Sequence, residues 1–99
     1  MSNKLESKFQ SDLIEELEKL FPEGIIEKLK PIRHTGIPDL LILNGNKWAT
    51  LECKRRKNSS RRPLQKYWVD RMNKMSFSRF ICPENKEVVL DEIQRALRP

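Results

Sequence analysis

Histidine is nearly absent from this 99-residue chain, which has only His34, and cysteine is scarce, with Cys53 and Cys82 alone. One histidine and two distant cysteines without CxxC spacing leave no four-ligand set for zinc. The plain reading of the pair is two buried free thiols in a reducing compartment. No apolar run approaches the roughly 20 residues of a membrane span. The N-terminus lacks a signal-peptide pattern, so a cytoplasmic setting is expected. Internal repeats and low-complexity linkers are missing as well. The chain is too short for two independent cores, so residues 1–99 read as one domain. A hydrophobic fraction of 37%, arranged periodically, favours a folded chain over a disordered one.

What is present centres on Gly36 to Lys54, GIPDLLILNGNKWATLECK. Two short apolar strands flank the polar stretch Asn44-Gly45-Asn46-Lys47, a strong local hairpin signal. Asp39 opens the first strand, and Glu52 closes the second with Lys54 two residues on. Strand side chains alternate faces, so Glu52 and Lys54 project together and Cys53 points the other way. A two-residue loop at Gly45-Asn46, or a four-residue loop over Asn44–Lys47, sets Asp39 opposite Glu52. A two-residue Asn44-Gly45 loop sets it one step diagonal, on the same face. An odd loop would split the acids. Two carboxylates and an ammonium on one sheet edge point to divalent-metal hydrolysis, because Mg²⁺ prefers oxygen ligands and keeps several waters.

Charge is spread unevenly around that stretch. Residues 1–27 carry three Lys/Arg against seven acids, residues 28–62 ten against two, and residues 63–99 seven against five. The basic excess therefore surrounds the proposed acidic spot, as suits a polyanion held against metal-binding carboxylates. Nucleic acid is the expected partner. Lys28, Lys30 and Arg33 could line a phosphate path, or simply form a solvated strand face. Arg55, Arg56, Lys57, Arg61 and Arg62, between ordered segments and beside the acids, are expected to touch phosphates, giving affinity without sequence information.

Around this centre the pattern predicts a helix over 3–21, with Leu5, Phe9, Leu13, Ile14, Leu17, Leu20 and Phe21 on one half of the wheel. Glu6, with Gln10 beside it, falls inside that apolar arc. Glu6 either faces a site or closes a capping box with Asn3. Gly24–Arg33 reads as an edge strand or bulge around Pro31. His34 reads as a turn or surface histidine, with general base as its alternative role. Leu40–Leu43 looks covered on both faces. Pro63 suits the start of a helix to about Met75, with Leu64, Trp68, Met72 and Met75 as its core stripe and Val69 adjacent. A strand over Phe77–Cys82 and a helix over about Glu87–Leu97, burying Val89, Ile93, Ala96 and Leu97, complete the order α-β-β-β-α-β-α. That is an α/β domain with a central mixed sheet flanked by helices.

The acidic helix, Pro38-Asp39 entering a strand, Glu52-Cys53-Lys54 on the next strand and Gln65 opening the following helix resemble the PD-(D/E)XK nuclease superfamily. More narrowly they resemble the stand-alone VRR-NUC domains of phages and bacteria. The Val-Arg-Arg of that family's name is absent, and Pro31–Thr35 lacks its usual Arg-Asn pairing. The resemblance implies a restriction-endonuclease-like core in a phage or bacterial host cytosol. It implies Mg²⁺, with Mn²⁺ as substitute, bound by Asp39, Glu52 and the backbone carbonyl of Cys53, with Glu6 assisting directly or through water. Lys54 would position the attacking water and Gln65 would be an accessory site residue. The implied activity is structure-selective DNA cleavage by a homodimer of Holliday-junction-resolvase type, without a small-molecule cofactor. Nicking, flap or restriction-type cleavage is the alternative, and a non-catalytic nucleic-acid-binding module is the alternative of a different class.

Overall fold

The computed structural model describes residues 2–99, with side chains from Glu6 onward. Seven elements follow in the predicted order: helix α1 (Ser2–Leu20), strands β1 (Ile25–Lys28), β2 (Leu40–Asn44) and β3 (Lys47–Cys53), helix α2 (Pro63–Met75), strand β4 (Phe77–Ile81) and helix α3 (Lys86–Ala96). The strands form one sheet in the order β1-β2-β3-β4. β1, β2 and β3 are a meander of antiparallel pairs, and β4 lies parallel to β3. Parallel neighbours need a crossover, and α2 supplies it.

The hairpin closes by the tightest route. Asn44 pairs with Lys47 and Leu40 with Leu51, leaving Gly45-Asn46 as a two-residue loop. Gly45 has φ +64° and Asn46 no positive φ, the pattern of a type II′ turn with glycine first. Carried one step beyond Leu40, this register sets Asp39 opposite Glu52.

The sheet has two dissimilar faces. One carries Leu40, Ile42, Ala49, Leu51, Cys53, Phe77 and Ile81 into the main core, with Leu13, Leu17 and Phe21 of α1 and Val89, Leu90, Ile93 and Leu97 against them. Each buried Val, Leu, Ile or Phe among them contributes about 1.5–3 kcal/mol on leaving water. The other face carries Thr50 and Ser78, whose hydroxyls bond to each other at 2.7 Å beneath Met72 of α2. Helices therefore cover both sides of β3 and β4. No helix among the described residues is long and apolar enough to cross a membrane.

Several local expectations shift. β2 is not covered on both sides, for Leu43 is 38% exposed where α2 does not reach. β1 ends at Lys28, so Leu29 and Ile32 lie in the loop beyond it. The core stripe of α2 is rotated: Leu64 and Met75 are 50% and 62% exposed, and Val69 is buried instead. Gln65 shares the inward face with Val69, its amide turned toward Glu52 and Lys54. In α3, Leu90 is buried and Ala96 exposed. The Leu5 core position and the Asn3 end of the capping box lie outside the described side chains.

Candidate active site

The end of β3, the start of β2 and the first turn of α2 converge on one edge of the sheet. Asp39, half-buried there, accepts the Cys53 backbone N–H on Oδ2 at 2.8 Å, a side-chain clasp that continues the β2–β3 ladder past Leu40. Its own carbonyl accepts the Leu29 N–H at 2.8 Å, so Asp39 is held from both neighbouring strands. Glu52 is buried, 4% exposed, and stands within hydrogen-bond reach of Asp39.

Gln65 ties the remaining pieces together. Its Nε2 donates to Glu52 Oε2 at 3.1 Å, while its Oε1 accepts from Lys54 Nζ at 2.6 Å and from the Arg62 backbone N–H at 3.1 Å. The last bond is half a capping box, with Arg62 at the N-cap and Gln65 at N3. One amide thus starts α2 and links an acid to an ammonium, each partner matched in donor and acceptor sense. Gly36 makes this approach possible. It adopts φ +86°, and a Cβ there would lie 2.8 Å from the Leu64 backbone and 3.0 Å from the Gln65 nitrogen. Only glycine lets the Thr35–Ile37 loop press against the start of α2.

The charges at this edge are not balanced. Burial, and then the Asp39 charge beside it, push the Glu52 carboxyl up to about 8, against an opposing pull from Lys54. Burial likewise raises Asp39, opposed by its bond from Cys53 and by the Lys54 and Lys28 charges. Two facing carboxyls that resist joint ionisation would be relieved of that penalty by a cation between them. Their free oxygens suit a hard, oxygen-preferring divalent ion that keeps waters. No group of three or more His, Cys, Asp and Glu with metal-binding placement occurs among the described residues.

Two clefts flank the pair. One, of about 460 Å³, runs over Asp39, Glu52 and Gln65 between the apolar side chains of Leu29, Ile37 and Leu64. The other, also of about 460 Å³, is polar and contains Glu6, Lys54, Arg55, Ser59, Ser60 and Arg62. Glu6 therefore does face the carboxylate edge, and its charge adds to the upward push on Glu52. One turn further along α1, Gln10 is buried beside the Cys53 side chain. The Cys53 thiol, walled off from water, is held well above the ordinary range and stays protonated.

The basic residues divide. Arg55 and Arg62 line the polar cleft. Lys28 is near enough to Asp39 to favour its ionised form. Arg61 turns away, its guanidinium 4.2 Å from the centroid of the Phe80 ring. Arg56 and Lys57 occupy an exposed turn closed by Ser59, whose Oγ accepts the Arg56 N–H at 3.0 Å. Lys30 and Arg33 are exposed in the loop after β1 and line neither cleft. His34 stacks obliquely on Trp68, centroids 4.8 Å apart, and Trp68 Nε1 donates to the Thr35 carbonyl at 3.2 Å. That makes His34 part of a loop-to-helix fastening. Residue-by-residue reading passed over Ser59 and Ser60, whose signal was two hydroxyls inside a run of cations.

Searches of family models, of curated proteins and of solved structures found no match to this chain.

Proposed function

We propose that this chain is a divalent-metal-dependent endodeoxyribonuclease of the PD-(D/E)XK kind and VRR-NUC type, selective for DNA structure and acting as a homodimer. The reading is carried by one observation: Gln65 bonds both Glu52 and Lys54, and Asp39 clasps the Cys53 N–H that lies between them in the chain, beside a cleft lined with Arg55 and Arg62. A chance Glu-x-Lys has no reason to be joined by one glutamine.

In this reading Asp39 and Glu52, with the Cys53 carbonyl, would hold Mg²⁺ or Mn²⁺, which would supply Lewis acidity for a water nucleophile and charge neutralisation at the phosphate. The chain's own groups do the rest. The Lys54 ammonium, fastened by Gln65, presents a fixed positive charge beside the carboxylates, where charge builds on the phosphate. Gln65 limits the freedom of both Lys54 and Glu52, which is the positioning that an in-line attack requires. Glu6 adds a third acid at the wall of the polar cleft. Arg55 and Arg62 hold the flanking backbone phosphates. Symmetric cutting of two strands needs two such sites, and one chain carries one; the homodimer follows from that economy.

The test is a side-by-side digestion of four-way junction, flap, nicked and linear duplex DNA with Mg²⁺ or Mn²⁺. Paired symmetric cuts on the junction support a resolvase; cuts confined to flaps or nicks assign the alternative substrates. Asp39→Ala, Glu52→Ala and Lys54→Ala should each lower cleavage by orders of magnitude while DNA binding persists. Full activity in EDTA would falsify the metal mechanism, and binding without any cleavage would identify a non-catalytic module.

A further inference from the structure

The two clefts that flank the carboxylates differ in chemistry, and the difference bears on which DNA the site can accept. We infer that the apolar cleft is a subsite for one unpaired nucleoside, the neighbour of the phosphate held at Asp39 and Glu52. This rests on the nuclease reading and adds to it a local requirement: the strand must be unstacked beside the cut.

A phosphate at the carboxylates has a strand leaving it in two directions. On one side stand Lys54, Arg55, Arg62 and the hydroxyls of Ser59 and Ser60, a surface for further phosphates. On the other, Leu29, Pro31, Ile37 and Leu64 form the walls, and Arg62 at the shared rim is the one cation lining it. A phosphate would be desolvated there without compensation. A flat ring with an apolar face and a polar edge would not, since Gln65 and Thr35 offer hydrogen-bonding atoms at the margins. At about 460 Å³ the cleft lies within the roughly 300–1,000 Å³ of small-molecule sites.

Leu64 adds a second observation. It is a large apolar side chain, half exposed, in the first turn of a helix whose buried stripe excludes it. Tyr67, 48% exposed, lies one turn along, and Trp68 follows it with ring centroids 5.0 Å apart. The Arg71 guanidinium sits 5.9 and 5.8 Å from the two ring centroids. Tyr67 thus adds an exposed ring one turn from the cleft with the Arg71 guanidinium beside it, while Trp68 is half-buried against His34; an exposed ring flanked by a cation is the arrangement on which an unpaired base stacks. A base in duplex DNA is stacked and paired, and extracting it costs a few kcal/mol. Flaps, overhangs and open junction centres offer such a base at no such cost.

The experiment uses the full chain and two readouts. In EDTA, where no cleavage occurs, a trinucleotide with central 2-aminopurine is titrated and its fluorescence followed, for the wild type and for Leu64→Ala, which keeps the Cβ packed on Gly36. Quenching by the wild type, with at least about a 10-fold weaker midpoint for the variant, is the expected result. Absence of quenching, or equal midpoints, overturns the subsite. Displacement of the probe by an apolar peptide but not by a nucleoside monophosphate also overturns it, and gives the cleft to a protein segment. With Mg²⁺, single-stranded and flap DNA are compared intact and with an abasic residue at each position flanking the cut. The expected loss of kcat/KM is about 10-fold for one abasic position. That ratio should fall toward one in Leu64→Ala. Intact and abasic strands cut equally, or duplex cut as fast as single strand, sinks the inference while leaving the nuclease reading standing. Probe binding without cleavage of any DNA does the reverse.

Discussion

The sharpest consequence of the site concerns protons. Glu52 in the folded chain keeps its proton up to about pH 8, against 4.5 for the free group. The folded state binds that proton more tightly than the unfolded state does. Stability is thus unaffected below pH 4.5, falls as pH rises from 4.5 to about 8, and is level above. At ~1.36 kcal/mol per pH unit the fall amounts to at most about 4–5 kcal/mol. In a domain of this size about 1 kcal/mol moves Tm by roughly 4–8 °C, so even half the total moves it by about 10 °C or more. Glu52→Gln removes the ionisation while keeping an acceptor for Gln65 Nε2. Melting of the metal-free protein, followed by circular dichroism from pH 5 to pH 9, should give matching Tm values at pH 5. By pH 9 the variant should be more stable by about 10 °C or more. Mg²⁺ should recover stability in the wild type at pH 8, by about 2.7 kcal/mol at one hundred times its Kd, and do so far less in Glu52→Gln. A stability gap that is the same at pH 5 and pH 9, or a variant less stable at pH 9, would refute the assignment of Glu52 as a destabilised, charge-crowded acid.

Three further outcomes follow from the same geometry. Replacing Arg55 and Arg62 together should weaken DNA binding and flatten the dependence of log K on log salt by about 2, at roughly 0.9 per phosphate contact. Arg61→Ala, its guanidinium on Phe80, should change that slope little; equal effects from the two variants would mean that the cleft does not select among the cations. Glu6→Gln should lower the cleavage rate at unchanged Tm if its carboxylate serves the site, whereas lost stability with unchanged rate assigns it to the helix cap. Cys53→Val should retain cleavage, because only the carbonyl is invoked, and should shift stability by less than about 1.5 kcal/mol as a near-isosteric core exchange; lost activity with normal folding would implicate the thiol.

Much of this edge could be read from residue order alone. Strand alternation puts Glu52 and Lys54 on one face whatever the packing, and the turn residues announce the hairpin. The exact register of the hairpin could not be read, because Asn44-Gly45, Gly45-Asn46 and the four-residue option all satisfy turn chemistry. The backbone at Gly45 chooses among them. The rotation of α2 was hidden for a different reason. Periodicity counts apolar residues, so it favoured Leu64 and Met75 and was blind to Gln65, which is drawn inward by an acid and an ammonium from another element. Arg61 and Arg62 are adjacent in sequence yet part company, and only the position of the Phe80 ring decides it.

The clustering of the site along the chain bears on how the protein folds. Asp39 bonds the Cys53 N–H, and Gln65 bonds Lys54 and Glu52, at separations of 11 to 14 residues, across a two-residue turn and one helix cap. Hairpins close in about 1–10 μs. The parallel pairing of β3 with β4 must instead wait for the whole crossover through α2. The two carboxylates therefore meet early, while the core is still incomplete and both remain in water. The larger part of the Glu52 shift comes from burial, which is completed only when α2 closes over this edge, so ionisation weakens the native state more than the transition state. In stopped-flow chevrons across pH 5 to pH 9 it is the unfolding arm that should quicken as the acids ionise, with the folding arm changing less. The crowded acids thus loosen the finished fold rather than delay its assembly, an effect that a proton reverses.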